Sequence, residues 1–349
     1  MRSVIGMAVT VVALHVLGWG TLLLFVAPNH YVIEGSVFGV GLGVTAYTLG
    51  MRHAFDADHI AAIDNTTRKL VAESGKKRVQ TVGFWFALGH STVVFVLVAS
   101  LAFGVRALAA GLEDEDSALQ RWTGLWGTSV SGAFLILIGL LNLASLAGIW
   151  RVFRQMRRGE YDEAQLERQL DSRGLLNRVL RPVIGLVRRP RHMYPVGVLF
   201  GLGFDTVTEV GLLVIAGGAA ATGLPWYSIL VLPVLFSAGM ALFDSLDGSF
   251  MSFAYDWAFA RPVRKIYYNL VITGLSVAVA LLVGGQEIIS IFAERLEVES
   301  GVLAWIGNLD LGDLGFIIVG LFVLTWAVAI AVWRFAGMER RWQDGLAVR

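Results

Sequence analysis

The run Val37-Phe38-Gly39-Val40-Gly41-Leu42-Gly43-Val44-Thr45-Ala46-Tyr47-Thr48-Leu49-Gly50 is apolar or small throughout, and after Met51 it opens onto Arg52-His53-Ala54-Phe55-Asp56-Ala57-Asp58-His59-Ile60. A stretch long and apolar enough to enter a bilayer thus carries five ionisable side chains at its far end. Charge at membrane depth is costly and marks function by default. Two imidazoles and two carboxylates between His53 and His59 offer ligands to a divalent metal such as Ni, Co or Zn. The same residues also read as a helix end that faces the cytoplasm and pairs with headgroups or with itself.

The rest of the chain supports the membrane setting. Of 349 residues, 56% are hydrophobic and 16% charged, against about one quarter charged in soluble domains. Apolar segments recur at 4–27, 37–66, 81–104, 124–150, 193–217, 226–252, 268–290 and 312–333, each near or above the roughly 20 residues that a spanning helix needs. The expected fold is therefore an all-α polytopic membrane protein of eight transmembrane helices. The first of these reads as a spanning helix rather than a cleaved signal, because it lacks a convincing small-x-small cleavage site.

The connections test that count. Arg68, Lys69, Lys76, Lys77 and Arg78 follow the second segment, and Glu113-Asp114-Glu115-Asp116 the third. The stretch 151–191 is strongly basic, 218–225 is uncharged, and Arg261, Arg264 and Lys265 follow the sixth segment. Acidic residues dominate 287–313, and Arg334, Arg340 and Arg341 follow the last segment. Basic and non-basic connections alternate, which the positive-inside rule converts into two cytoplasmic termini. The chain divides into a first membrane half (1–150), a basic cytoplasmic connection (151–191, with a short surface helix or linker over 159–173) and a second half (192–349).

Further polar residues lie inside the apolar segments. As a single helix, 37–66 would put His53, Asp56 and His59 on one broad face, while Asp58 points away. All four can serve one ion only if the helix is distorted around Gly50; otherwise Asp58 serves a neighbour such as Arg52. The two acids can also hold an imidazole tautomer from outside the coordination sphere. Asp64 is expected to face water or Arg68. His90 sits in the third segment among small residues, equally readable as ligand or as packing residue. His15, alone in the first, reads as packing or proton relay. In the second half, Asp205 and Glu209 are four apart and Asp244 and Asp247 three apart, with no lysine or arginine in their own segments. They must pair across helices, bind cations or carry protons. Phe55-Asp56 matches Phe204-Asp205, and Phe86-Ala87-Leu88-Gly89 matches Phe236-Ser237-Ala238-Gly239, in segments of opposite direction; an inverted repeat is a possible reading of these short matches.

Several classes are set aside. Cysteine is absent, so disulfides, thiolate sites and thiol catalysis are excluded. No Walker A pattern occurs, which argues against an ATPase, and the basic connection is accounted for as a cytoplasmic flank without nucleic acid. An integral-membrane metalloenzyme would need more clustered histidines. A purely structural or sensory role leaves the acids of three segments unexplained.

Together these stretches resemble the nickel/cobalt transporter family (the NiCoT type, within the nickel/cobalt/organomercurial transport grouping). Its signature of a histidine, four residues and Asp-His is met by His53, Asp58 and His59, with Asp56 between them. Its other segments resemble Leu88-Gly89-His90-Ser91, Gly201-Leu202-Gly203-Phe204-Asp205-Thr206 with Glu209, and Ala238-Gly239-Met240 with Asp244 and Asp247-Gly248. The likeness runs in order through residues 45–255. It implies a permease and not an enzyme, with Ni(II) and/or Co(II) as substrate rather than resident cofactor, importing into a bacterial cytoplasm across the inner membrane. His53, Asp56, Asp58, His59 and His90 become the expected metal ligands, and His15, Asp205, Glu209, Asp244 and Asp247 candidates for the transport path or proton coupling. Efflux by a related permease is the alternative; the chain has no histidine-rich loop of the kind such relatives can carry.

Overall fold

The computed structural model describes residues 2–33, 36–74, 79–103, 118–157, 187–202, 207–259, 262–296, 298, 300–309 and 314–335. Glu113–Asp116, the stretch 159–173 and Asp205 lie outside them, as does the side chain of Glu209.

The described chain is almost wholly helical. Helix α1 (Arg2–Thr21) widens over Leu22–Val26, and Pro28 closes it in a tight turn. A two-residue hairpin, β1 (Val32–Ile33) against β2 (Ser36–Val37), pairs Val32 with Val37 and Ile33 with Ser36. Then come α2 (Val40–His53), α3 (Ala57–Ser74), α4 (Val82–Ala102), α5 (Ala118–Arg157), α6 (Met193–Gly201), α7 (Val207–Ala221), α8 (Trp226–Phe259), α9 (Pro262–Arg295), α10 (Val302–Gly307) and α11 (Leu314–Phe335). Among the described residues, five segments are long and apolar enough to cross a membrane: Ser3–Asn29, Val82–Ala102, Leu125–Gly148, Trp226–Trp257 and Leu270–Arg295. Gly211–Ala220 and Leu314–Val328 are shorter apolar helices.

The exposed surface confirms which solvent this bundle faces. On α1, Val9, Val12, Val16 and Leu17 are all about 60% exposed, while Met7 and Val11 are buried. A helix that is apolar on its outer face as well as its inner one suits lipid, not water.

Helix α8 is the centre of the bundle and packs against α1, α2, α3 and α4. Its contacts with α2 are close enough to exclude side chains. A Cβ on Gly50 would overlap the carbonyl oxygen of Phe236, and one on Gly239 would press on that of Tyr47. The α4–α6 contact is built the same way: Gly89 lies against the carbonyl of Tyr194, and Gly197 against that of Phe86. Such approach of backbones is how helices gain packing energy where lipid supplies no hydrophobic drive. Pro233 lies within α8 just before this seam, and the Ser237 hydroxyl bonds back to the Pro233 carbonyl at 2.6 Å.

The expectation of one helix over 37–66 is corrected. Helix α2 ends at His53, Ala54–Asp56 form a turn, and α3 starts at Ala57. The break falls at these residues rather than around Gly50. Asp56 stands at the N-cap position of α3, its carbonyl accepting the helix's first bond from the Ile60 amide at 3.2 Å, a position that aspartate favours. Helix α11 clamps the turn: Gly315 packs on the Phe55 carbonyl, and the Phe316 ring stacks on Phe55 at 4.6 Å.

Candidate metal centre

The break in the second segment gathers three histidines. His53 closes α2, His59 sits in the first turn of α3, and His90 projects from the middle of α4. They are 1%, 0% and 2% exposed, with ring centroids 4.4 Å (His53–His59), 4.6 Å (His53–His90) and 4.9 Å (His59–His90) apart. One ring nitrogen from each lies within 4.8 Å of the other two. A straight helix would carry His53 and His59 along one face; the turn folds the chain so that both rings meet a third from α4.

Two carboxylates lie against this cluster, and Asp56 holds a ring. Asp56 Oδ2 accepts from His53 Nδ1 at 2.7 Å, which leaves His53 Nε2 as the lone-pair nitrogen. That Nε2 faces His90 Nε2 at 3.0 Å. Two ligands at right angles, each with a metal–nitrogen bond of about 2.1 Å, stand about 3.0 Å apart. The separation therefore suits both a hydrogen bond between the rings and adjacent ligation positions on an ion. Asp244 Oδ2, from α8, lies 3.5 Å from His59 Nδ1, and both side chains are fully buried. The walls are aromatic: Phe86 stands edge-on to His59 at 4.7 Å, and Phe236 lies 5.7 Å from His53.

The site sits between two apolar clusters. Ala54, Ala87, Phe236 and Met240 belong to one, and Ala57, Ile60, Phe86 and Phe200 to the other. The carbonyl end of α2 reaches it, and helix C-termini favour cations.

The remaining candidates fall elsewhere. Asp58 is on the first turn of α3 and is not one of the three side chains whose ligand atoms converge. His15 bonds to the Val11 carbonyl at 2.8 Å and the Tyr47 hydroxyl at 3.2 Å, apart from the cluster. Asp64 does not face water: it is 0% exposed and accepts a hydrogen bond from the Tyr255 hydroxyl of α8, while Arg68, its other expected neighbour, acts on it electrostatically. Asp247 lies one turn beyond Asp244 on α8. Glu287, grouped with the acidic outer stretch by its sequence position, lies within α9 and accepts from Ser131 of α5 at 3.1 Å. Sequence reasoning passed over Tyr255, Ser276 and the Asn142–Asn65 bond that joins α5 to α3. Only the polarity of Asn142 inside an apolar helix signalled that last link.

The family described as NicO, High-affinity nickel-transport protein, matches residues 39–332. The chain is 57% identical to the nickel transporter NicT of Mycobacterium tuberculosis (strain ATCC 25618 / H37Rv), over 96% of this chain and 90% of that protein. It is 44% identical to the nickel transporter NixA of Staphylococcus aureus (strain NCTC 8325 / PS 47), over 95% and 94%. It is also 41% identical to the cobalt transport protein NhlF of Rhodococcus rhodochrous, over 95% and 91%. No solved structure matches. The chain belongs to the nickel/cobalt transporter family: it is a multi-pass membrane transporter and not an enzyme.

Proposed function

We propose that the protein is a permease that carries Ni(II) and/or Co(II) inward across a bacterial inner membrane, through a site made by His53, His59 and His90. The observation that carries this reading is the convergence of three buried imidazoles from three helices, two of them with a carboxylate beside a ring nitrogen. Imidazole selects Ni, Co and Zn over Mg and Ca, and the relatives' names add nickel and cobalt. Asp56 orients the His53 ring and Asp244 lies beside His59, while Asp58, Asp205 and Glu209 complete a transient site or exchange protons as the ion passes.

The same proposal includes eight spans, both termini cytoplasmic, and two membrane halves, 1–150 and 192–349. Support for an inverted repeat comes from the seams. Tyr47-x-x-Gly50 packs on Phe236-x-x-Gly239, and Tyr194-x-x-Gly197 packs on Phe86-x-x-Gly89, each glycine against the partner's aromatic carbonyl. The two contacts thus exchange equivalent residues of the second and fifth, and of the third and sixth, segments. Rocking about such paired seams would open the site to alternate sides. The inward direction matches the membrane potential, negative inside, which favours entry of a divalent cation by about 4.6 kcal/mol per 100 mV.

The test is flux of radioactive nickel and cobalt into proteoliposomes of determined orientation, with and without an imposed potential. Saturable movement toward the face that carries the basic connections, lost in His59→Ala, supports the reading. Flux equal to that of protein-free vesicles contradicts permease activity, and saturable movement only in the opposite sense contradicts import.

A further inference from the structure

Below the histidines a second polar group is buried that the centre does not use. Helices α3 and α8 run side by side in the same sense: His59 meets Asp244, Ile63 lies against Gly248, and Asp64 meets Tyr255. Both helices continue toward the basic segments that begin at Arg68 and at Arg261. Asp64 is five residues beyond His59, about 7.5 Å further along the helix axis. The descent therefore passes from nitrogen ligands to oxygen ligands.

Asp64 is fully buried. Its Oδ1 accepts from the Tyr255 hydroxyl, which also lies 3.4 Å from Ser276 of α9, while its Oδ2 has no hydrogen-bond partner. Asp247 presents a second buried carboxylate oxygen without a partner, and the charged groups acting on it are Asp64 and Asp244. Arg68 lies one turn on from Asp64 and is 4% exposed, yet its Nε and Nη1 make no hydrogen bond. Arg68 is a cation that acts on Asp64, yet a buried carboxylate oxygen that accepts no hydrogen bond is expensive to keep, and Asp64 and Asp247 each hold one.

We propose that Asp64, Asp247 and the Tyr255 hydroxyl form a second, all-oxygen station for the divalent cation, between the histidine centre and the basic end of α3. It rests on the permease reading above. Oxygen ligands hold Ni(II) and Co(II) less tightly than imidazoles, and a path that must release its ion needs such a weaker step after the selective one. Arg68, at the far end of the station, keeps residence short by repulsion. The arrangement makes the histidines responsible for choosing the ion and the oxygens for letting it go.

The experiment compares the full-length protein with Asp64→Asn, Asp247→Asn, Tyr255→Phe and His90→Ala in proteoliposomes, all checked for monodispersity before reconstitution. Asp64→Asn keeps an acceptor for the Tyr255 hydroxyl, so the local hydrogen bond survives. Expected is a fall in maximal nickel flux of about tenfold in Asp64→Asn, a change in KM below about threefold, and unaltered imidazole ligation by nickel K-edge absorption. Asp247→Asn follows the same pattern, and Tyr255→Phe falls between it and the parent. Nickel counterflow, which needs no net proton movement, slows in parallel. Parental flux in both carboxylate variants overturns the station, as does loss of imidazole ligation in Asp64→Asn. Intact counterflow with lost net uptake overturns it in favour of a proton path. Failure of the underlying permease reading is distinct, since the parent itself would then show neither saturable flux nor a His90-dependent site.

Discussion

Replacing Asp56 with asparagine separates the two tasks that this residue performs. As the N-cap of α3 it starts a helix, and asparagine does that equally well. As the 2.7 Å partner of His53 Nδ1 it fixes the tautomer that points a lone pair at the centre, and there its charge matters. The side chain is 15% exposed and His53 only 1%, so solvent does little to replace the contact. Loss of such a partner lowers metal affinity by about 10- to 100-fold. A neutral amide oxygen still accepts, at roughly half the strength of a carboxylate, which places Asp56→Asn near the lower end, about tenfold or 1.4 kcal/mol. Asp56→Ala loses the cap as well, for about 1 kcal/mol of fold stability in addition. The assay is nickel uptake as a function of concentration at a fixed potential. A KM within about twofold of the parent in Asp56→Asn would refute the role given to the carboxylate.

Gly50→Ala and Gly89→Ala each push a methyl group into a carbonyl oxygen of the facing helix. The expected loss is about 1–3 kcal/mol, read as a lowered thermal transition in detergent, and unshifted transitions would contradict the close seams. His15→Ala removes two hydrogen bonds outside the centre and should leave nickel KM and maximal flux within about twofold, while loss of flux would restore a relay role. Asn142→Leu leaves the buried Asn65 amide oxygen without its donor, and stability should fall by about 1 kcal/mol with nickel affinity unchanged. Altered affinity there would mean that α5 shapes the site directly.

The membrane architecture was legible because lipid imposes a composition that nothing else in the chain masks: apolar runs with charge confined mainly to their ends. The family was legible from His53, Asp58, His59 and His90. What periodicity concealed was the turn at Ala54–Asp56, since the apolar run before it and Ile60 and Ala61 after it read as one helix. Asp56 three residues after His53 is the signal that was present, an N-cap residue within a spanning segment. The partner of Asp64 lay 191 positions away on α8, and no local spacing reports such a contact.

The centre itself is tested most directly by nickel K-edge X-ray absorption on the loaded protein and on His90→Ala. Three imidazoles in the parent and two in the variant are what the converging rings predict. A coordination sphere of oxygen alone, or an imidazole count that does not change when His90 is removed, would contradict it.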